Sequence, residues 1–208
     1  MTTPKPLKVV AFNGSFKQNG NTAQLIELVF SELRKEGIEC ELVTVGNAKY
    51  VSGCIGCGKC AETHKCARAG PEDPINEWFA KMLEADGIIL GSPTHFANVS
   101  VEMKSLIDRC GCMNGSGGGM LKHKIGAAVV AVRRGGAASV FDMINKFFTI
   151  SQIHVVSSCY WNNGIGLKPG DIQNDEEGVK IMKTLGKNMV YLLKKMNDPR
   201  TADIKPPE

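Results

Sequence analysis

The sequence predicts an α/β chain built on a doubly wound, five-stranded parallel sheet, and three observations carry that expectation. Short β-branched runs alternate with amphipathic stretches of helical period. Polar or glycine-rich loops follow the first, third and fourth runs, where such a sheet opens its ligand crevice. Punctuation stands where helices should begin and end: Asp73-Pro74 before one helical stretch and Gly37 after another.

Each element follows in order. Lys8 to Asn13 is the first and central strand, and Gly14 to Gly20 is a polar loop. A helix runs from Thr22 to Glu36, with Leu25, Ile26, Leu28, Val29 and Leu33 on one face. Glu39 to Val45 is the second strand, and an inserted cysteine-rich loop runs from Tyr50 to Pro71. A helix from Pro74 to Ala85 leads into the third strand, Gly87 to Gly91. After the Ser92 to Asn98 loop comes a helix carrying Val101, Leu106 and Ile107. Glycine-rich Asn114 to Gly119 should not hold a helix. Lys124 to Val132 is the fourth strand, Ala138 to Ile150 a helix, and Ile153 to Ser157 the fifth strand. A final helix, Asp175 to Met196, closes one domain over residues 1–196. Residues 197–208, with Pro199, Pro206 and Pro207, form a polar tail.

Composition excludes several classes. With 43% hydrophobic and 22% charged residues, the chain is neither disordered nor fibrous. A net charge of +4, spread along the chain, gives no nucleic-acid footprint. No apolar run approaches the ~18 residues of a membrane span, and Met1 to Lys8 has no signal-like apolar core, so the expected location is cytoplasmic. Two excesses remain. The 23 glycines in 208 residues are about 11% against roughly 7% on average. Of the eight cysteines, Cys54, Cys57, Cys60 and Cys66 fall in one short stretch.

The three strand-following loops suit a flat phosphorylated ligand. In the first, Ser15, Asn19, Asn21 and Thr22 offer hydroxyls and amides, Lys17 offers a charge, and Gly14 and Gly20 let the backbone fold back onto a helix N-terminus. It matches neither G-x-x-x-x-G-K-[ST] nor G-x-G-x-x-G, so it reads as an anion cradle or as a plain capped turn. The second, from Pro93 and Thr94 through His95 and Phe96 to Asn98, suits a ring laid against backbone amides, or a turn whose Phe96 is core. In the third, Gly135 and Gly136 permit close approach beside Arg133 and Arg134, which face an anionic group or solvent.

The cysteines spell C-x2-C-x2-C-x5-C. Three thiolates at that interval converge from one loop, the fourth completes a tetrahedral set, and Gly53, Gly56 and Gly58 let the backbone wrap closely. An iron–sulfur cluster, redox-active thiols and a zinc site all stand, in that order of fit to the spacing. Cys40, Cys110, Cys112 and Cys159 read as buried small hydrophobes, with Cys110 and Cys112 on different faces of a helix.

Together, Gly14-Ser15 with Asn19 to Thr22, Cys54 to Cys60 with Cys66, Ala85 to Pro93, and Met103 to Arg109 resemble the flavodoxin-like NAD(P)H-dependent FMN reductases. Within that family they resemble the iron–sulfur flavoproteins. The resemblance covers Lys8 to Tyr160, and the chain differs from the common pattern at Phe16, Lys17 and His95. It implies FMN, its phosphate held by Ser15, Lys17, Asn19, Gly20, Asn21 and Thr22. The isoalloxazine would be lined by Pro93, Thr94, His95, Phe96 and Asn98, with Arg134, Gly135 and Gly136 at its pyrimidine side. It implies a 4Fe–4S cluster on Cys54, Cys57, Cys60 and Cys66, and NAD(P)H or a ferredoxin-like carrier as electron source. It also implies a homo-oligomer, dimer or tetramer. The activity implied is an FMN-dependent oxidoreductase; a cluster-free FMN or quinone reductase and a pure electron carrier are the alternatives.

Overall fold

All five expected apolar runs become strands of one parallel sheet. In the computed structural model, which describes residues 6–50, 52–201 and 203–204, β1 (Lys8–Asn13) leads through α1 (Asn21–Lys35) to β2 (Glu39–Thr44). The cysteine segment holds a single turn, α2 (Cys60–Thr63), before α3 (Ile75–Glu84). Then follow β3 (Gly87–Pro93), α4 (Val101–Ser116), β4 (Ile125–Val132), α5 (Ala137–Ile150), β5 (His154–Val155), β6 (Asn163–Ile165) and α6 (Glu176–Met196). Strand order is β2-β1-β3-β4-β5, with β6 also on β4, and every ladder is parallel.

Alternation along the central strands divides the core. Val10, Phe12, Ile88, Leu90, Ala128 and Val130 pack with α3, α4 and α5 on one face. Val9, Ala11, Ile89, Ile125, Ala127 and Val129 pack with α1 and α6 on the other. Burial on both faces explains why these strands read as continuous apolar runs. Gly37, at φ +74°, takes the left-handed position that ends α1. Asp73 Oδ1 accepts from Ile75 N at 3.2 Å and starts α3. Asp175 caps α6 through Gly178 N at 3.0 Å. No helix among the described residues is long and apolar enough to cross a membrane.

Two expectations are corrected. The fifth strand is not continuous from Ile153 to Ser157: β5 pairs only with Ile125 and Gly126, and β6 completes the same edge beside Val130 to Val132. That edge would otherwise leave N–H groups of a fully buried strand unpaired; Val130 N, for one, donates to Asn162 O at 2.9 Å. Helix α4 runs through Asn114 to Ser116 despite its glycines. Buried Asn114 accepts from Leu121 N at 2.8 Å through its side chain and from Gly119 N at 2.8 Å through its carbonyl, offsetting the helix cost of glycine, about 1 kcal/mol each. The tail from residue 197 begins with a 3-10 turn, Pro199–Thr201; Pro206 and Pro207 lie outside the described residues.

Where β2 meets β1, Glu41 bonds Lys8 Nζ at 2.8 Å and Lys81 Nζ at 2.6 Å. The hydrogen bonds from Lys8 and Lys81 hold its carboxyl below the ordinary carboxylate range. A depressed folded value means the pairs stabilise at and above the unfolded carboxyl's range, roughly pH 4.3, and lose that effect as pH falls through the folded value. Glu41→Gln should therefore destabilise by about 1 kcal/mol near neutrality, with the gap closing in acid. Urea midpoints of both proteins across that range check it, and a pH-independent gap contradicts it.

Candidate functional site

The C-terminal ends of β1, β3 and β4 open onto a cleft of about 350 Å3. Ser15, Lys17, Asn21, Thr22, Pro93, Thr94 and His95 line it, as the sequence places them; Phe16, Ala131, Val132, Arg133, Gly166, Leu167 and Pro169 complete it. The last three lie on the segment after β6, whose position depends on a strand that sequence reading missed. Arg133, rather than Arg134, is the arginine on its wall.

The chemistry of this cleft is set by α1. Its N-cap, Gly20, supplies no side-chain bond, and its first turn carries no acidic residue. Free N–H groups and the positive end of the helix dipole therefore face the loop. Around them, Asn13 Oδ1 accepts from Ser15 N at 3.0 Å and Ser15 Oγ accepts from Lys17 N at 3.2 Å, fixing a tight bend. Asn13 Nδ2 is buried with no partner. Ser100, the N-cap of α4, accepts from Met103 N at 3.2 Å and donates to Gly14 O at 2.8 Å, tying this loop to the next. Asn21 Oδ1 accepts from Gly170 N at 2.9 Å and draws in the segment beyond β6.

The second loop is strained. His95 and Asn98 exchange both backbone hydrogen bonds at 2.9 Å, with Phe96 (φ +48°) and Ala97 (φ +57°) left-handed between them. Two such non-glycine residues cost on the order of 1–3 kcal/mol each and persist only where surroundings enforce them. The Phe96 ring is fully exposed, which excludes the core alternative. Gly136, at φ +90°, lies so close to Ala97 that a Cβ would sit 2.9 Å from its Cα. Asn19, Gly20, Phe96, Arg134, Gly135 and Gly136 do not line the cleft, and Asn98 lines a separate groove.

That groove, shared by Ser52, Gly53, Asn98, Lys104 and Ser105, reaches a second cavity of about 210 Å3, which Ser52 and Gly53 also line. Cys54, Cys57, Cys60 and Cys66 all face the second cavity. Ser105 Oγ donates to Ser52 O at 2.5 Å and anchors the cysteine loop on α4. Asn76 of α3 clamps Cys66, accepting from its N at 2.8 Å and donating to its O at 3.3 Å. Arg109, 4% exposed, pairs with Asp73 at 2.6 Å and donates to Cys66 Sγ at 3.2 Å. Burial pulls the pKa of this guanidinium down, but the bonds to Asp73 and Cys66 outweigh it and displace it upward.

Among the described residues, no three His, Cys, Asp or Glu side chains stand close enough together to hold a metal ion as they are. The donor chemistry nonetheless suits a thiolate-held group: four thiols share one cavity, with a cation beside one of them. Space for the loop to draw in is present too, since a Cβ at Gly53, Gly56 or Gly58 would meet nothing within 4 Å.

The other four cysteines divide. Cys110 is buried, and burial pushes its thiol far up; Cys40 is partly buried and pushed up to about 11 for the same reason. Cys112 and Cys159 are exposed, against expectation. Cys159 belongs to the segment that interrupts the fifth strand. Cys112 faces the cysteine cavity, because residues 109, 112, 113 and 116 share one stripe of α4.

Comparison with known proteins agrees with this architecture. Residues 7–167 match the family described as NADPH-dependent FMN reductase. An iron–sulfur flavoprotein of Methanocaldococcus jannaschii is 37% identical over 195 residues, 90% of this chain and 98% of that protein. Among solved structures, RosB with a bound 8-demethyl-8-formylriboflavin-5'-phosphate intermediate superposes with a TM-score of 0.70 at 17% identity, covering 93% of this chain and 81% of that one. An archaeal flavodoxin superposes at 0.59 and 16% identity, covering 90% and 99%; both likenesses concern the fold. On the extent of the family match and the full-length relative, the chain belongs to the NADPH-dependent FMN reductase family of oxidoreductases, on its iron–sulfur flavoprotein branch.

Proposed function

We propose that the chain moves electrons between NAD(P)H or a reduced ferredoxin-like carrier and an acceptor, using FMN in the cleft and a 4Fe–4S cluster in the cysteine cavity. The observation that carries the reading is the shared wall. Ser52 and Gly53 belong to both the cysteine cavity and the groove that reaches Asn98. When bound, FMN accepts a hydride or single electrons, and a cluster exchanges electrons one at a time.

In this reading the open N-terminus of α1, with Ser15, Lys17, Asn19, Gly20, Asn21 and Thr22, holds the flavin phosphate. Pro93 to Phe96 and Asn98 hold the ring, and Arg134, Gly135 and Gly136 border its pyrimidine edge. Cys54, Cys57, Cys60 and Cys66 supply the thiolates. Arg109 on Cys66 Sγ, and Gly56 N donating to Cys54 Sγ at 3.3 Å, place hydrogen bonds on sulfur, which raise a cluster's potential. A homo-oligomer completes the proposal.

A cluster-free flavin reductase with redox thiols is the second reading, favoured by the spread of the four thiols. Anaerobic purification with iron, acid-labile sulfide and FMN counted per chain decides between them. About four iron, four sulfide and one FMN is the expected result. FMN with neither iron nor sulfide leaves the second reading, and zinc overturns both assignments of the cysteines. Anaerobic mixing with NADH or NADPH should bleach the flavin within seconds; a flavin that stays oxidised identifies a carrier without its own nicotinamide substrate.

A further inference from the structure

The cysteine cavity holds a fifth thiol. Its floor is α4, where Arg109, Cys112, Met113 and Ser116 face inward; its roof is the loop carrying Cys54 and Cys57. Cys112 and Cys54 line this same narrow gap from its two sides. Cys60, which opens α2, packs against the same turns of α4, with its Sγ 3.8 Å from Cys112 O and 3.7 Å from Ser116 Oγ. Cys112 is exposed, whereas Cys110, two residues earlier, is fully buried in the core. One of the two adjacent helix cysteines is therefore delivered to the cavity and the other withheld from it.

The two facing sulfurs differ in their supports. Cys112 is fixed by a helix that packs on the core. Cys54 sits on a loop between Gly53 and Gly56, both surrounded by open space, and Gly56 is left-handed at φ +68°. A disulfide needs Cα atoms within roughly 4.4–6.8 Å and a narrow dihedral range. With one thiol fixed on a helix and the other on a loop with open space around its glycines, that requirement can be met by movement of the loop alone. The cluster motif needs four cysteines, so Cys112 is not accounted for by it.

We propose that Cys112 is a working thiol of this cavity, and that in the metal-free chain it forms a reversible disulfide with Cys54. The oxidant is a low-molecular-weight disulfide, RSSR. Cys54, on the exposed loop, attacks one sulfur; the Cys54–S–SR bond forms and RSH leaves with the proton from Cys54. Cys112 then attacks the Cys54 sulfur; the Cys54–Cys112 bond forms, the bond to SR breaks, and the second RSH leaves with the proton from Cys112. Two thiols have lost two electrons and RSSR has gained them. The closed form holds Cys54 away from further oxidation, whose sulfinic and sulfonic products are irreversible. It also means that a metal group is rebuilt only after reduction. The inference does not depend on which metal group the four cysteines hold, since it concerns the chain without one.

The test uses full-length, metal-free, fully reduced protein. It is exposed anaerobically to oxidised glutathione, its remaining thiols are alkylated, and its disulfides are mapped by peptide mass spectrometry. The expected result is one dominant crosslink, Cys54 to Cys112, reversed by dithiothreitol, with Cys110 unmodified as the internal control. In Cys112→Ser, Cys54 should carry glutathione instead, because the second step has no thiol. Cys112 found free, or joined to any other cysteine, overturns the proposal; so does wild-type protein whose Cys54 remains glutathionylated. The wild-type map decides even if the variant folds poorly. Failure of cluster reconstitution under full reduction would count against the cluster reading and leave this one standing.

Discussion

Replacing Arg109 by methionine is expected to cost about 3–5 kcal/mol of stability, because it strands a buried carboxylate. Arg109 and Asp73 have side chains only 4% and 3% exposed and meet at 2.6 Å. Removing one partner of such a pair leaves the other's desolvation uncompensated, which is worse than never burying either. At roughly 2–4 °C per kcal/mol for a chain of this size, the melting temperature should fall by about 6–20 °C. A second variant separates charge from packing. Arg109→Met combined with Asp73→Asn removes the stranded charge while keeping volume, and should recover most of the loss in urea titrations. If the double variant is no more stable than the single one, lost packing rather than the unpaired carboxylate is responsible. The same substitution should loosen the cysteine cavity, since Arg109 Nη2 is also the donor to Cys66 Sγ and Asp73 also accepts from Ile75 N ahead of α3. Under the cluster reading proposed above, iron per chain in Arg109→Met, measured beside its stability, then reports on the cavity itself.

That pair also shows which parts of the molecule the sequence makes legible. The strands were readable because both faces of β1, β3 and β4 are buried, which forces unbroken apolar runs bounded by polar loops. Cys54, Cys57, Cys60 and Cys66 were readable because their spacing lies within one loop. Arg109 and Cys112 come from α4, Asn76 from α3 and Asp73 from the turn before it, and only tertiary packing brings them to that loop. Their signal was present but faint: Arg109 and Cys112 share a helix face by spacing, and that face becomes functional only once its neighbour is known. Strand β6 was illegible for a different reason. Asn163-Gly-Ile165 has no strand character of its own, and its pairing is imposed by the open edge of β4. With β6 unseen, the Gly166 to Pro169 wall of the cleft was unseen as well. The left-handed pair Phe96 and Ala97 could not be read either, because neither residue type announces a positive φ.

Gly46 does not itself line the cleft, yet Gly46→Ala should damage it by displacing two residues that do. Gly46 lies in the 3-10 turn after β2, Val45–Asn47, and packs on the first loop. A Cβ there would overlap the carbonyl carbon and oxygen of Ser15 and lie 2.5 Å from Phe16 N. These are backbone atoms, so no rotamer change relieves the overlap, and the Ser15–Phe16 peptide must move. That peptide holds the bend bonded by Asn13 Oδ1 and Ser15 Oγ in front of the free N–H groups of α1. Overpacking of this kind costs about 1–3 kcal/mol. Expressed on the binding-competent conformation, that is roughly a ten- to hundredfold weaker hold on FMN, readable as flavin fluorescence quenching on titration of the metal-free apoprotein. Gly135→Ala is the matched probe: its Cβ meets no protein atom within 4 Å, so the unliganded fold should keep its urea midpoint. In the pose proposed above, which brings the flavin ring close to Gly135, the methyl group should still weaken FMN several-fold. Unchanged affinity in Gly135→Ala would remove that residue from the binding surface, and unchanged affinity in Gly46→Ala would show that the first loop does not hold the phosphate.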